Sequence, residues 1–188
     1  MNRCSKVAAR NGPDHFGWIT RAIHWAMAGL IIGMLGLGLY IGDATPSLSN
    51  FWLFGLHKSL GMTALGMALL RILWHWISPP PAIDPAGLAR WQWGLARLVR
   101  GVFYALMLLV PLSGWVASAA AGPDVIIFER WALPRIAPTS VTLEEFGFAV
   151  HAVLTKLMIG VLGLHIAGAL YHQIVLGDGG LRRMIRGG

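Results

Sequence analysis

Four long apolar runs, separated by helix-breaking residues, constrain this 188-residue chain more than any other feature of its sequence. A run of about 20 apolar residues is long enough to cross the hydrocarbon core of a bilayer as an α-helix. The runs predict transmembrane helices at residues 19–41, 52–77, 100–121 and 146–176. Proline and glycine mark the connections, and the alternating pattern of a transmembrane barrel is not seen. We therefore predict one all-α membrane domain over residues 1–188.

The composition supports a membrane protein. Apolar residues make up 56% of the chain and charged residues 12%, whereas soluble domains carry about a quarter charged residues. A net charge of +7 would indicate nucleic acid in a soluble protein, but these basic residues flank the apolar runs, so we predict no nucleic-acid partner. Cys4 is the single cysteine, which excludes a disulfide framework and covalent C-x-x-C-H haem attachment. The first run is too long for a signal peptide.

The placement of lysine and arginine predicts the orientation. The N-terminal tail, the connection 78–100 and the C-terminal tail carry the following basic residues: Arg3, Lys6, Arg10, Arg21, Arg90, Arg97, Arg100, Arg182, Arg183 and Arg186. The other side has Arg130, Arg135 and, at its margin, Lys58. This bias predicts that both termini lie in the cytoplasm, with residues 1–17 as a cytoplasmic tail. Residues 86–100 mix arginine with tryptophan and predict a short interfacial helix.

The depth of four histidines is the most informative detail. His24 lies near the inner end of the first helix, and His57 lies near the outer end of the second. His151 and His165 share the fourth helix, 14 residues apart, which is about 21 Å along the axis and returns to nearly the same face. The sequence therefore predicts two levels, with His24 beside His165 at the inner level and His57 beside His151 at the outer level.

Ionisable side chains inside membrane helices are costly and usually functional. Opposed imidazoles fit a b-type haem, whose iron takes two axial ligands from opposite sides. Zinc would need further ligands, and no Cys, Asp or Glu lies at mid-membrane depth. The alternative is that the histidines form interhelical hydrogen bonds. Of the other histidines, we expect His15 to be solvated and His75 to be an interfacial polar residue, and we leave His172 open between an interfacial residue and part of a quinone or proton site.

Several short motifs occur in a particular order along the chain. They are I-H-W at 23–25, L-H-K-S-L-G at 56–61, V-P-L-S-G at 110–114, G-L-H-I-A-G-A-L-Y-H at 163–172 and L-R-R-M near the C-terminus. With these motifs the sequence, from about residue 18 to residue 184, resembles the bacterial cytochrome b561 family of four-helix di-haem membrane proteins. The resemblance implies two non-covalent haem b groups with His24, His57, His151 and His165 as axial ligands, and no ligand from the third helix.

Basic residues near the two levels are candidate partners of haem propionates. Arg71, 14 residues after His57, and Arg21, three residues before His24, are predicted for the inner haem. Both residues are equally compatible with ordinary positive-inside anchors. Lys58 and Lys156 lie toward the outer haem, where they would pair with propionates or attract an anion such as superoxide. For Lys156 the alternative is snorkelling to the outer interface.

The expected activity is outer-sphere, one-electron transfer, because two histidine ligands leave no open position on iron. The leading hypothesis connects an outer-face donor or acceptor, with superoxide preferred on the resemblance, to membrane quinone. The second hypothesis is an electron-transfer subunit that docks a periplasmic cytochrome, dehydrogenase or hydrogenase through the outer loop 121–145. The third is a haem-free bundle or metal carrier. The sequence leaves the enzyme assignment open and does not locate the quinone site, for which His172, Tyr171, Trp74 and His75 are inner-end candidates.

Overall fold

The computed structural model describes residues 8–81 and 90–187. Its helices are α1 (Trp18–Asp43), α2 (Phe51–Ile77), α3 (Arg90–Ala120), α4 (Val141–Tyr171), which continues into a π-helical turn (His172–Leu176), and α5 (Gly180–Arg186). A small antiparallel hairpin pairs β1 (Ile126–Ile127) with β2 (Trp131–Ala132). In this described part of the chain, four helices are long and apolar enough to cross a membrane. The predicted fold class, a mostly helical protein with four membrane-crossing helices, is confirmed.

Two helices begin earlier than the apolar runs indicated. Helix α3 begins at Arg90 rather than at residue 100, because no proline interrupts residues 90–100 and most of them are good helix formers. The predicted interfacial helix is therefore continuous with the third span from Arg90 onward, and its residues 86–89 lie outside the described residues. Residues 1–7 of the predicted cytoplasmic tail lie outside them as well.

Helix α4 begins at Val141 rather than at residue 146. The Ser140 side chain accepts a hydrogen bond from the backbone N–H of Leu143 and so caps the helix. Glu144 in the first turn adds a favourable interaction with the positive end of the helix dipole. These polar residues start the helix in the outer loop, one turn before the apolar run.

The helices pack in chain order, with α1 on α2, α2 on α3 and, most closely, α3 on α4. A Cβ atom on Gly147 of α4 would lie 2.9 Å from the Ala117 Cβ of α3, so these two backbones approach as closely as small residues allow. All four helices contribute to one buried apolar cluster, formed by Met27, Ala68, Leu106, Met107 and Met158. Met158 lies midway in sequence between His151 and His165, so this core separates the two predicted histidine levels.

Both described ends of the chain lie at the same end of the bundle. The Asn11 side chain donates to the Ser78 carbonyl at 2.8 Å, which ties the segment before α1 to the C-terminal end of α2. The Trp25 indole donates to the Met184 carbonyl at 3.1 Å, which ties α5 to the start of α1. The β1–β2 hairpin lies at the opposite end, where the Phe128 N–H donates to the Ser59 hydroxyl at 2.9 Å.

Candidate paired-histidine sites

The structure brings the four histidines together as two opposed pairs. The ring centres of His24 and His165 lie 6.3 Å apart with 53° between their planes. The ring centres of His57 and His151 lie 6.2 Å apart with 85° between the planes. These are the two pairs that helix depth predicts. Their role as metal ligands stays a prediction.

Each pair bridges two helices that are not closely packed neighbours in the described part of the chain. His24 is on α1, His57 is on α2, and both partners are on α4. Among the described residues, neither α1 with α4 nor α2 with α4 is a closely packed pair. The imidazoles therefore face each other between helices whose backbones are not closely packed.

The separation of the rings fits a single metal ion between them. Two metal–imidazole bonds of about 2 Å each, with the reach from ring nitrogen to ring centre, add to about 6 Å. In the described residues no group of three or more His, Cys, Asp or Glu side chains could hold a metal by itself. Two opposed imidazoles supply only two ligands. They therefore suit an ion that brings its other ligands with it, as haem iron does.

The third helix contacts the outer pair through its V-P-L-S-G segment. The Nδ1 atom of His151 lies 2.9 Å from the Val110 carbonyl oxygen and 3.1 Å from the Ser113 hydroxyl. A Cβ on Gly114 would lie 3.1 Å from the His151 ring, so an alanine here would require the imidazole to shift by a few tenths of an ångström. By contrast, the buried Nδ1 of His57 has no hydrogen-bond partner in residues 8–81 and 90–187.

The inner pair lies beside an arginine. Arg71 Nη2 lies 3.3 Å from His24 Nδ1. Arginine can only donate, so the Nδ1 atom accepts this bond and the proton lies on Nε2. If Nε2 bound a metal, the proton would move to Nδ1, which could then no longer accept a hydrogen bond. Arg71 would have to donate to a different acceptor. The structure thus places Arg71 beside the inner histidine pair, and its pairing with a haem propionate stays a prediction.

A histidine–tyrosine pair extends this polar cluster. The Tyr104 hydroxyl lies 2.7 Å from His75 Nδ1, and the Arg71 guanidinium lies 5.7 Å from the Tyr104 ring centre. His75 is thus half-buried and hydrogen-bonded between α2 and α3, and its predicted place at the membrane interface stays a prediction. Sequence reasoning missed Tyr104, because no local motif connects residues on separate helices. The sequence signal that marks Tyr104 is a polar aromatic residue inside a run that has no charged residue.

The remaining inner-end candidates have separate partners. The Trp74 indole donates to the Thr20 hydroxyl at 2.8 Å, and His172 Nδ1 lies 2.6 Å from Asp178 Oδ2. Burial raises the pKa of Asp178, but hydrogen bonds from Gly180 and His172, together with the charges of His172 and Arg183, lower the pKa below its ordinary value of 3.8. The proposed quinone-side residues therefore do not share one hydrogen-bonded cluster.

The other predicted cations are placed less specifically. Arg21 Nη1 lies against Gly187, and its buried Nε has no hydrogen-bond partner among the described residues. Lys58 is half-buried and Lys156 is exposed. Neither lysine forms an ion pair within the described ranges. The predicted role of Lys58 and Lys156 beside the outer haem stays a prediction.

The four membrane-crossing helices and the two opposed histidine pairs define a multi-pass membrane cytochrome. The chain belongs to the prokaryotic cytochrome b561 family, whose sequence model matches residues 15–187. This confirms the resemblance and makes the protein a membrane electron-transfer cytochrome. Membership of the family also implies b-type haem.

Two relatives match most of the chain. It is 30% identical over 178 residues to "Cytochrome b561 homolog 2" of Escherichia coli (strain K12), an alignment that covers 93% of each chain. It is 29% identical over 163 residues to "Probable superoxide oxidase CybB" of Yersinia pestis, which covers 87% of this chain and 91% of that protein.

Proposed function

We propose that this protein carries single electrons across the bacterial inner membrane, between an outer-face partner and membrane quinone. The observation that carries the proposal is the presence of two opposed histidine pairs at the two ends of one bundle. The apolar cluster around Met27 and Met158 lies between them. Two binding levels separated by a core are what a transmembrane electron path needs, and a single site would not provide one.

We assign His24 and His165 to an inner haem b and His57 and His151 to an outer haem b. Haem held by two imidazoles supplies reversible one-electron exchange without an open iron position. The protein's own contribution is to orient the ligands and set the local charge. Arg71 supplies a cation at the inner level, with Arg21 as a second candidate, and Lys58 and Lys156 supply cations at the outer level.

Superoxide is the outer substrate that we propose. It is a small anion that gives up one electron and leaves as dioxygen. Two such electrons and two protons convert a quinone to a quinol. The support is the name of the Yersinia pestis relative and the two lysines without ion-pair partners in the described residues. If the proposal is right, the protein is a superoxide:quinone oxidoreductase.

Quinone reduction needs hydrogen-bond donors near the inner haem. The cluster of Arg71, His75 and Tyr104 provides a cation and a hydrogen-bonded hydroxyl–imidazole pair next to His24. A phenol and an imidazole in contact can exchange a proton. We therefore favour this cluster, rather than Trp74 or His172, as the quinone-side proton donor.

An electron-transfer subunit is the alternative function. The β1–β2 hairpin exposes Ile126, Phe128 and Trp131 at the outer end, where Trp131 is 60% exposed. A periplasmic redox protein would dock against such a surface. A stable partner that copurifies with the protein would favour this alternative, whereas partner-free reduction by superoxide favours the leading proposal.

The first experiment is a reduced-minus-oxidised optical spectrum of detergent-purified protein with haem stoichiometry. Two low-spin b haems per chain are expected. One haem would overturn the proposed two-haem path, since one histidine pair would then be wrongly assigned, and a colourless folded protein would overturn the redox function as a whole. Stopped-flow mixing with superoxide then tests the substrate, which is refuted if haem reduction is no faster than the uncatalysed bimolecular reaction.

The orientation of the protein in the membrane can be tested separately. The segment before α1 and helix α5 lie at the same end of the bundle, where arginine is abundant, which supports cytoplasmic termini. Cys4 is the single cysteine and is therefore a natural label in the N-terminal tail. A membrane-impermeant maleimide should label it only after the inner membrane is opened. Labelling in intact spheroplasts would contradict the proposed orientation.

A further inference from the structure

Helix α3 contributes no histidine, yet it makes the most specific contacts to an outer-level ligand. The Val110 carbonyl lies 2.9 Å from His151 Nδ1, and the Ser113 hydroxyl lies 3.1 Å from the same atom. Gly114 faces the His151 ring at a distance that a side chain would obstruct. Three residues of one helical turn therefore surround one edge of this imidazole.

The local sequence makes α3 irregular where it meets His151. Pro111 is inside α3 and has no N–H, so the Met107 carbonyl, four residues earlier, loses the donor that a regular helix would give it. The Ser113 hydroxyl donates to the Val110 carbonyl at 2.8 Å, a contact typical of bent helices. The missing side chain at Gly114 leaves room for the His151 ring to approach the backbone of α3.

The contact fixes the tautomer of His151. A carbonyl oxygen can only accept a hydrogen bond, so the 2.9 Å contact requires the proton to be on Nδ1. The lone pair is then on Nε2, the nitrogen left to bind a metal. A hydrogen bond from the other ring nitrogen orients a histidine ligand and raises its basicity.

His57, the opposite member of the pair, lacks this support. Its Nδ1 atom is buried and has no hydrogen-bond partner within the described part of the chain. The Gly38 backbone is close, since a Cβ there would lie 3.1 Å from the His57 ring, but this contact is steric and sets no tautomer. The outer pair is therefore asymmetric, with one ligand held by hydrogen bonds and one held by packing.

We propose that Ser113, with the Val110 carbonyl, is a positioning residue for the outer haem. It holds His151 in the Nδ1–H tautomer and makes His151 the more basic and more rigid axial ligand. This inference rests on the proposed function, because it requires a haem between His57 and His151. It assigns a role to the V-P-L-S-G motif in a helix that supplies no ligand.

The test compares Ser113→Ala with Ser113→Thr in the haem-loaded protein. A matched control is Ser118→Ala, which removes a buried hydroxyl five residues further along the same helix. Redox titration, low-temperature EPR and haem transfer to apomyoglobin are the measurements. None of them depends on turnover.

Loss of the Ser113 hydroxyl weakens the hydrogen bonding at His151 and makes the ligand less basic, which disfavours ferric haem. For Ser113→Ala we expect one of the two midpoint potentials to rise and one EPR signal to shift. We also expect one haem to dissociate about 10-fold faster, which is at the low end of the effect of removing the hydrogen-bond partner of a metal-binding histidine. Ser113→Thr retains a hydroxyl and should restore all three values. Ser118→Ala should leave them unchanged.

The outcomes separate this inference from the proposed function. If unmodified protein carries fewer than two haems, the proposed function fails. If it carries two haems and Ser113→Ala matches it in potential, EPR and haem dissociation, the positioning role is overturned. Should Ser113→Ala fold too poorly to measure, Gly114→Ala provides the second variant. It crowds the His151 ring directly, and the inference requires it to perturb the same single haem.

Discussion

Arg71 on α2 donates a hydrogen bond to His24 on α1, across 3.3 Å. The equivalent nitrogen of His151 instead meets a backbone carbonyl at 2.9 Å. One proposed ligand is thus next to a permanent cation, and the other is next to the negative end of a peptide dipole. A cation favours the reduced haem and a carbonyl favours the oxidised one. If both pairs hold haem as proposed, this difference predicts a higher potential at the inner level, which would favour electron flow from the outer level to the inner level.

Replacing Arg71 with glutamine should lower the higher of the two midpoint potentials. As a general guide, a unit charge about 8 Å from a redox centre, at an effective dielectric constant of about 20, is worth about 2 kcal/mol. Arg71→Lys keeps the charge and should retain most of the potential. Redox titration of both variants measures the shift. If Arg71→Gln leaves both potentials unchanged, Arg71 does not set the charge at the inner level.

Removing one histidine should remove one haem. His24→Ala or His165→Ala should reduce the haem content from two per chain to one, and so should His57→Ala or His151→Ala. His24→Ala combined with His57→Ala should leave none. Pyridine haemochrome analysis against protein concentration gives the ratio. His15→Ala, before the first helix, is the control and should keep two haems. A single variant that retains two haems would show that its residue is not a ligand.

The outer lysines should affect the encounter with superoxide. Lys58→Gln combined with Lys156→Gln should slow superoxide-driven haem reduction by about 10-fold at low ionic strength, because the attraction of the anion is lost. The effect should shrink as salt is added. Arg97→Gln changes a cation that stacks on Trp93 in the N-terminal part of α3 and should leave the rate unchanged. Equal rates at low salt for the double variant and the unmodified protein would rule out steering by these lysines.

Tyr104→Phe should separate proton transfer from electron transfer. It removes the 2.7 Å contact with His75 but keeps the ring. Haem content and potentials should be unchanged, while quinone reduction falls about 10-fold or more, as expected for loss of a proton donor. Tyr40→Phe is the matched control, since Tyr40 is 60% exposed near the end of α1. Unchanged quinone reduction in Tyr104→Phe would exclude this cluster as the donor.

The junction between α4 and α5 should depend on the Asp178 carboxylate. The Asp178 pKa is lowered in the folded protein, so its contribution is present above its ordinary value of 3.8 and is lost only as pH falls through the lower folded value. The stabilisation of residues 172–187 by this group, measured by hydrogen exchange, should therefore stay constant between pH 7 and pH 5. Asp178→Asn should speed exchange there at pH 7, and Asp43→Asn should not. Equal exchange in Asp178→Asn and unmodified protein would contradict the role.

Hydrophobicity and charge belong to individual residues. The sequence alone therefore predicts the four membrane-crossing helices and the depth of each histidine. From the rise and rotation per residue of an α-helix, we predict that His24 pairs with His165 and His57 with His151. The structure brings these same residues together. Capping at Ser140 explains why α4 starts earlier than its apolar run. The capping serine is visible in the sequence, but a hydropathy pattern scores apolar character and takes no account of helix capping.

The tertiary structure alone decided which side chains support those histidines. Val110 and His151 are 41 positions apart, and His75 and Tyr104 are 29 apart. Their contacts depend on how each helix is rotated about its axis and how closely neighbours approach. Small residues such as Gly147 and Ala117 set that packing between helices. The sequence therefore placed the histidines in depth, and the packing of the helices determined what each imidazole touches.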